Sequence, residues 1–137
     1  MSMIRCFTAY LFLISISLSQ SRVHINDLVQ SGKLLLDLNN KPFTGIAYSS
    51  SAVSEKKIQE SKYLKGLLHG THKEWWENGN KKFQGRYKSG EKNGRWVGYF
   101  ENGNIKSETN YKNGMEDGLD TRWHKNGVKH SKGAYQN

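Results

Sequence analysis

Three side chains near the middle of the sequence have the chemistry of metal ligands: His69, His72 and Glu74. A transition-metal site needs imidazole or carboxylate groups that converge on one point. On a strand, two histidines three residues apart point to opposite faces of the sheet, and no third ligand stands in a fixed relation to them. We therefore predict no metal site and interpret these residues as solvated loop or strand side chains.

Sequence motifs for catalysis are absent. The sequence contains no Gly-x-Ser-x-Gly nucleophile turn, no phosphate-binding glycine loop and no His-Glu-x-x-His motif. The carboxylates Glu77 and Glu101 precede Asn-Gly pairs, where turn propensity explains them. We predict a non-enzymatic protein with no catalytic residue and no cofactor.

Recurring aromatic and basic residues are the best candidates for molecular recognition. Trp75-Trp76 and Tyr99-Phe100 are adjacent aromatic pairs, and neighbours on a strand point to opposite faces of a sheet. We predict that Trp75, Tyr99 and Trp123 pack between successive hairpins, which leaves the other member of each pair on the surface beside lysines. The predicted binding residues are Trp76, Phe100, Lys82, Lys106, Lys88 and Lys112.

The elements that position these residues repeat every 24 residues. The repeated positions are Gly70, Gly94 and Gly118, then Gly79, Gly103 and Gly127 of the Asn-Gly pairs, then Tyr87, Tyr111 and Tyr135. A fixed interval indicates one supersecondary unit copied in series. Such a unit buries its apolar face against its neighbours, so the chain should form an extended array.

Each unit is predicted to be a β-hairpin, because Asn-Gly flanked by aromatic residues is a strong hairpin signal. The sequence is compatible with a two-residue turn and with a three-residue type I turn followed by a G1 bulge. The two-residue turn would place the glycines Gly70, Gly94 and Gly118 opposite the tyrosines Tyr87, Tyr111 and Tyr135, respectively. A tyrosine ring would then cover the backbone of each glycine.

The predicted fold is all-β, an elongated single-layer array of antiparallel β-hairpins with units at about 42–66, 67–90, 91–114 and 115–137. We expect residues 20–41 to form a leader that caps the first unit. Residues 1–19 are typical of a signal peptide, with Arg5 before an apolar run from Cys6 to Leu18. An uncleaved anchor is the alternative, although the run is shorter than the ~20 residues that span a bilayer. We predict export to the periplasm, the cell surface or the medium.

The chain is strongly basic, with a formal net charge of +9 over 137 residues. Lysines at similar positions of successive units would form a basic stripe, which attracts anionic lipid, acidic polysaccharide or an acidic protein. Solubility and protection of strand edges are the alternative explanation. Nucleic acid is not a predicted partner, because an exported protein rarely meets it. The sequence leaves the oligomeric state open.

The pattern Gly-x-x-x-x-Trp/Tyr-aromatic-x-Asn-Gly, followed by Tyr-x-x-Gly-x-x-x-Gly, resembles the MORN-repeat variant of bacterial proteins. The resemblance covers residues of about 27–137, and proteins of this type are often described as YwqK-type toxin–antitoxin antitoxins. The leader is similar to the segment that precedes the first repeat in secreted members. It implies a non-catalytic module for protein contact, scaffolding or membrane apposition. The first unit lacks the Asn-Gly turn, and the last has His124-Lys125 where its predecessors have an aromatic residue and Glu.

We therefore predict an exported protein-binding or scaffold module, which the resemblance suggests is antitoxin-like. The alternative is peripheral binding to anionic membrane or polysaccharide surfaces through the lysines.

Overall fold

The structure is a computed structural model that describes residues 21–135, so the predicted signal peptide lies outside the described residues. The described chain is almost entirely β-structure with one short 3₁₀ helix, Ile25–Asp27. The strands are β1 (Arg22–His24), β2 (Val29–Ser31), β3 (Leu34–Leu36), β4 (Gly45–Ser50), β5 (Lys57–Leu64), β6 (Leu67–Trp75), β7 (Lys81–Lys88), β8 (Glu91–Lys92), β9 (Gly94–Tyr99), β10 (Ile105–Lys112), β11 (Met115–Trp123) and β12 (Lys129–Tyr135).

One sheet of ten strands contains everything except β2 and β3, which pair with each other. Its order is β1-β4-β5-β6-β7-β9-β10-β11-β12, with β8 paired to β7. All neighbours from β4 onward are antiparallel, and β1 runs parallel to β4. The predicted all-β, single-layer array of hairpins is confirmed.

The Asn-Gly segments form the longer of the two turns that the sequence allows. The Gly79 N–H donates to the Trp76 carbonyl at 2.8 Å, and the Trp76 N–H donates to the Asn80 carbonyl at 2.8 Å. Gly79 has φ +88°, whereas Asn78 does not have a positive φ. This is a three-residue loop, a type I turn followed by a G1 bulge. The same hydrogen bonds close the loops at Gly103 and Gly127.

A second bulge after each loop restores the register. Trp75 lies opposite Lys81 and Glu74 lies opposite Phe83, so Lys82 is the extra residue. Register shifts at the corresponding place leave Lys106 and His130 as the extra residues of the next two hairpins. As a result, the three predicted glycine–tyrosine pairs are confirmed, although the two-residue turn is not used.

The predicted reason for the repeated glycines was wrong. The atoms nearest to a Cβ built on Gly70 belong to Lys62, at 3.0 Å, and not to the ring of Tyr87. Gly70 has φ +98°, a left-handed conformation in which a side chain is strained. The glycine is therefore explained by backbone geometry.

The links between hairpins are themselves tight turns. Lys65-Gly66, Ser89-Gly90 and Asn113-Gly114 all have two successive positive φ angles. This is the type I′ geometry, which matches the twist of antiparallel strands. Consequently, the chain from β4 to β12 is a continuous antiparallel meander. Successive strands from β5 onward are joined by tight turns, with type I′ links at one edge and Asn-Gly loops at the other.

The two faces of the sheet differ, and we name each by one residue. The Trp96 face carries a central row formed by paired residues on successive strands: Ala47, Ser61, His72, Gly85, Trp96, Thr109, Asp120 and Gly133. Because side chains alternate along each strand, Trp75, Tyr99 and Trp123 lie on the opposite face, the Trp75 face.

The leader packs on the Trp96 face of the first hairpin. Leu35 and Phe43 form a buried cluster with Ala47 of β4. Partly buried residues surround this cluster: Val23, Ile25, Leu28 and Tyr63. The Leu35 N–H also donates to the Gly66 carbonyl at 2.8 Å, which ties the leader to the first type I′ turn.

Asparagine side chains connect the loops of successive hairpins. Asn78 and Asn80 both donate from Nδ2 to the Glu101 carbonyl at 2.8 Å. One repeat later, Asn102 and Asn104 donate to the Lys125 carbonyl at 3.1 and 3.0 Å. The contact between neighbouring hairpins is therefore repeated along with the hairpins.

Candidate binding surfaces

The central row of the Trp96 face is an aromatic cluster. Trp96 is only 7% exposed. Its ring centroid lies 5.0 Å from that of Tyr87, 5.6 Å from that of His72 and 6.3 Å from that of Tyr111. The indole N–H donates to the Arg86 carbonyl at 3.1 Å, so the polar part of the ring is satisfied. This cluster joins two successive hairpins, β6–β7 and β9–β10.

Sequence reasoning did not identify Trp96 as a packing residue. It has the same position in its repeat as His72 and Asp120, and all three side chains are buried. The sequence feature that marks this contact is Gly85, which has no side chain and lies against the Trp96 ring of the next hairpin. A Cβ at Gly85 would lie 2.2 Å from the Trp96 ring.

His72 is part of this packed row, and its interpretation as a solvated histidine was wrong. It is 6% exposed. Its Nδ1 lies 2.8 Å from the Ser61 hydroxyl, and its Nε2 lies 3.0 Å from a Glu74 carboxylate oxygen. His69 is on the Trp75 face, where its Nδ1 accepts from the Ser89 N–H at 3.4 Å. In residues 21–135, no three potential ligands are grouped closely enough to hold a metal ion.

The six predicted binding residues lie in two separate groups. Trp76, Lys82, Phe100 and Lys106 are near the Asn-Gly loops on the Trp96 face. There, Lys82 Nζ is 5.1 Å from the Trp76 ring centroid, and Lys106 Nζ is 5.8 Å from that of Phe100. Lys88 and Lys112 are near the type I′ turns, at the other ends of β7 and β10. Alternation along these strands places them on the Trp75 face.

Contacts of the indole N–H groups separate the tryptophans into two classes. The Trp76 indole donates to the Tyr99 carbonyl at 3.3 Å, so Trp76 connects neighbouring hairpins. Trp75 and Trp123 are half-buried, and neither indole N–H has a hydrogen-bond partner within residues 21–135. Since no described side-chain nitrogen is both buried and unsatisfied, these two N–H groups are accessible to solvent.

Lysines accompany the aromatic residues of the Trp75 face. Their Nζ atoms lie 4.8 to 6.0 Å from ring centroids, a range typical of cation–π contacts. The pairs are Lys57 with Trp75, Lys81 with Tyr99, and Lys129 with Trp123.

A basic cleft of about 480 Å³ lies on the same face, near the type I′ turns. Lys62, His69, Arg86 and Lys88 line it, and no carboxylate does. Elsewhere on this face, Glu60 binds Arg22 and Lys57, and Glu108 binds Arg95. Among the described residues, Lys62, Arg86 and Lys88 form no ion pair. The cleft is therefore a concentration of uncompensated positive charge.

The hairpin geometry agrees with a comparison against protein families. The family model of the MORN repeat variant matches residues 68–89 and 92–113. The two matches cover two successive hairpins, β6–β7 and β9–β10. A search of curated proteins found no significant match, and a search of solved structures found none either.

The MORN-type repeats include both sides of the Trp96 cluster and most of the basic cleft. The first match runs from β6 into the Ser89-Gly90 turn, and the second runs through β9 and β10. Repeats of this kind indicate a module that binds proteins or membranes. No helix within residues 21–135 is long and apolar enough to cross a bilayer.

Tyrosines of the repeats should make stability sensitive to alkaline pH. Burial raises the pKa of the Tyr87 phenol above its ordinary value, and the nearby Glu74 carboxylate raises it further. The folded protein therefore holds this proton more tightly than the unfolded chain does. The resulting stability is complete below about pH 10 and is lost as the pH rises through the folded-state value.

We expect Tyr87→Phe to reduce the loss of stability above about pH 10, because the substituted ring cannot ionise. Urea unfolding midpoints of the two proteins at neutral and alkaline pH measure this difference. Identical alkaline losses would show that the Tyr87 proton is not linked to folding.

Proposed function

We propose that the protein is a non-enzymatic binding module that attaches to an anionic lipid surface through its Trp75 face. The observation that carries this proposal is the combination, on one face, of cations without carboxylate partners and tryptophans with accessible N–H groups. A lysine or arginine close to an anionic membrane contributes about 1 kcal/mol of attraction. Tryptophan and tyrosine favour the membrane interface because their rings are apolar at one end and polar at the other.

The single-layer architecture makes this face suitable for contact with an extended surface. The leader packs on the Trp96 face, so it does not cover the cations of the other face. Lys62, Arg86 and Lys88 lie in the cleft, and the row formed by Trp75 and Tyr99 runs nearer the Asn-Gly loops. A flat bilayer contacts both regions at once, whereas a compact ligand would contact one.

Export is part of the proposal, because the predicted signal peptide would bring this face to the anionic lipids of a cell envelope. The resemblance to antitoxin-like proteins supports a different function, a protein partner held by Trp76 and Phe100. We favour lipid because Trp76 already donates its N–H within the sheet and has Lys82 over its ring.

The test is sedimentation of the protein with vesicles of phosphatidylserine and phosphatidylcholine at low salt. Lys62→Gln combined with Arg86→Gln removes two cations from the Trp75 face. At about 1 kcal/mol for each cation, we expect about 30-fold weaker partitioning. The matched control is Lys33→Gln combined with Lys82→Gln, which removes the same charge away from this face and should change partitioning by less than about threefold.

Equal losses for the two pairs would mean that only net charge matters, and the assignment of the face would be wrong. Absence of sedimentation at low salt would reject anionic lipid as the ligand. A stoichiometric protein recovered at physiological salt and lost with Trp76→Ala or Phe100→Ala would establish the scaffold function instead. Binding to an acidic polysaccharide without binding to vesicles would likewise replace lipid as the ligand.

A further inference from the structure

A groove of about 550 Å³ lies on the Trp96 face, beside the last hairpin. This hairpin consists of β11 and β12. It is on the opposite side of the sheet from the basic cleft. Its lining combines rings with cationic or titratable groups, and it includes one carboxylate, that of Glu116. The rings and cationic or titratable groups are Phe100, Lys106, Arg122, His124, Lys125 and His130. A groove with this lining favours a negatively charged ligand.

The two histidines of the groove stand where each of the two preceding hairpins has an aromatic residue and a lysine. His124 corresponds to Phe100, and His130 corresponds to Lys106, the extra residue of the bulge. In the earlier hairpin the lysine lies over the aromatic ring, with Nζ 5.8 Å from its centroid. In the last hairpin the two imidazoles are stacked, with centroids 4.5 Å apart and planes inclined by 5°. A permanent cation has thus been exchanged for two groups that gain charge on acidification.

The acidic groups near the stacked histidines are engaged by neighbouring side chains. The Tyr111 hydroxyl donates to Glu116 at 3.3 Å. The buried Asp120 accepts from the Thr109 hydroxyl at 2.6 Å and from Arg122 Nε at 3.0 Å. Arg122 retains its terminal guanidinium N–H groups for a ligand, because its contact with Asp120 is made through Nε.

We propose that this groove binds a tetrahedral dianion, a sulfate or phosphate group, and binds it more tightly when His124 and His130 are protonated. Two imidazolium rings in a stack repel each other, and a dianion between them and the cations of Lys106, Arg122 and Lys125 offsets that repulsion. A tetrahedral oxyanion also presents several acceptor oxygens to donors that converge from different strands. The groove is independent of the proposed lipid-binding face, because it uses other residues on the other side of the sheet.

Inorganic sulfate is the appropriate probe, since it remains a dianion across the range in which histidine titrates. Calorimetric titration of the whole protein at constant ionic strength should give about tenfold tighter sulfate binding near pH 6 than near pH 8. Proton NMR of the imidazole C–H groups should show His124 and His130 responding with the same dissociation constant. Equal affinity at the two pH values, or imidazole signals that do not respond to sulfate, would overturn the proposal.

The matched variant combines His124→Phe with His130→Lys, which copies the Phe100–Lys106 pair of the preceding hairpin and so preserves a packing that the chain already uses. We expect it to bind sulfate with no change in affinity between the two pH values. His24→Gln, which removes a histidine at the far end of the sheet, should retain the wild-type pH dependence. A pH dependence that survives in the double variant would contradict the assignment of the site.

Glucose 6-sulfate, glucose 6-phosphate and glycerol 3-phosphate distinguish the sources of the dianion. Tighter binding of either sugar ester than of inorganic sulfate indicates a carbohydrate ligand, and preference for glycerol 3-phosphate indicates a headgroup-like ligand. Failure of sulfate and of all three esters to bind would exclude a dianion site in this groove.

Discussion

Replacing Gly85 with alanine is expected to destabilise the protein by about 3 kcal/mol or more, because the added methyl group overfills a packed row. The built Cβ lies 2.2 to 2.7 Å from three atoms of the Trp96 ring, distances that real contacts do not reach. The ring cannot move aside freely, since its N–H is bonded to the Arg86 carbonyl and Tyr87 packs against it at 5.0 Å. Such a loss is a large part of the 5–15 kcal/mol that typically stabilises a domain.

Gly133→Ala is the matched control, because Gly133 occupies the same position two repeats later. No atom lies within 4 Å of a Cβ at Gly133. Neither glycine has a positive φ, so alanine strains neither backbone. We expect Gly133→Ala to be neutral or stabilising by about 0.5–1 kcal/mol. Urea unfolding of both variants measures the difference, and equal destabilisation would show that the contact with Trp96 does not determine the cost.

Trp96→Ala is expected to cost about 3–5 kcal/mol, the range found when a large buried ring is truncated. The variant loses the contacts with His72, Tyr87 and Tyr111, and the Arg86 carbonyl loses the indole donor while it keeps the Asn93 N–H. Because these contacts join the two central hairpins of the sheet, unfolding should begin at lower urea concentration for the whole array. Circular dichroism and the remaining tryptophan fluorescence should report the same shifted midpoint.

Trp75→Ala and Trp76→Ala provide the comparison, because both rings are only half-buried. We expect each to destabilise the protein less than Trp96→Ala does. Trp76→Ala should cost more than Trp75→Ala, since only Trp76 donates its indole N–H to a neighbouring hairpin. A larger loss for Trp75→Ala than for Trp96→Ala would contradict the assignment of the packed row.

The architecture was predictable because one strong local signal is repeated at a constant interval. Asn78-Gly79 and its two equivalents predict hairpins, and the constant spacing requires those hairpins to pair in the same way. The pairing of Gly70 with Tyr87 was predicted correctly, but the prediction assumed a two-residue turn, and the structure has a three-residue loop with a compensating bulge. A longer loop shifts the register by one residue, and the bulge at Lys82 shifts it back. Because the two shifts cancel, the spacing between the repeated glycines and tyrosines is the same as for a two-residue turn.

The packed row could not be predicted from the aromatic pairs. In a two-layer fold, one residue of Trp75-Trp76 would be buried and the other exposed. In a single layer neither face is covered along its length, and both rings are half-buried. Among the tryptophans, burial is instead greatest for Trp96, whose ring meets a strand that lacks a side chain at Gly85. That relation joins residues on different hairpins, so reading one unit at a time does not reveal it.

The asparagine contacts between loops make the length of the sheet adjustable. The bond from Asn78 to the Glu101 carbonyl and the bond from Asn102 to the Lys125 carbonyl are the same interface at successive positions. An in-frame duplication of residues 91–114 would therefore create another copy of an interface that already exists. Each duplication would lengthen both faces by two strands, about 10 Å. A ligand that spans many repeats would then be held by avidity, which a gene can increase by unequal recombination without altering any contact.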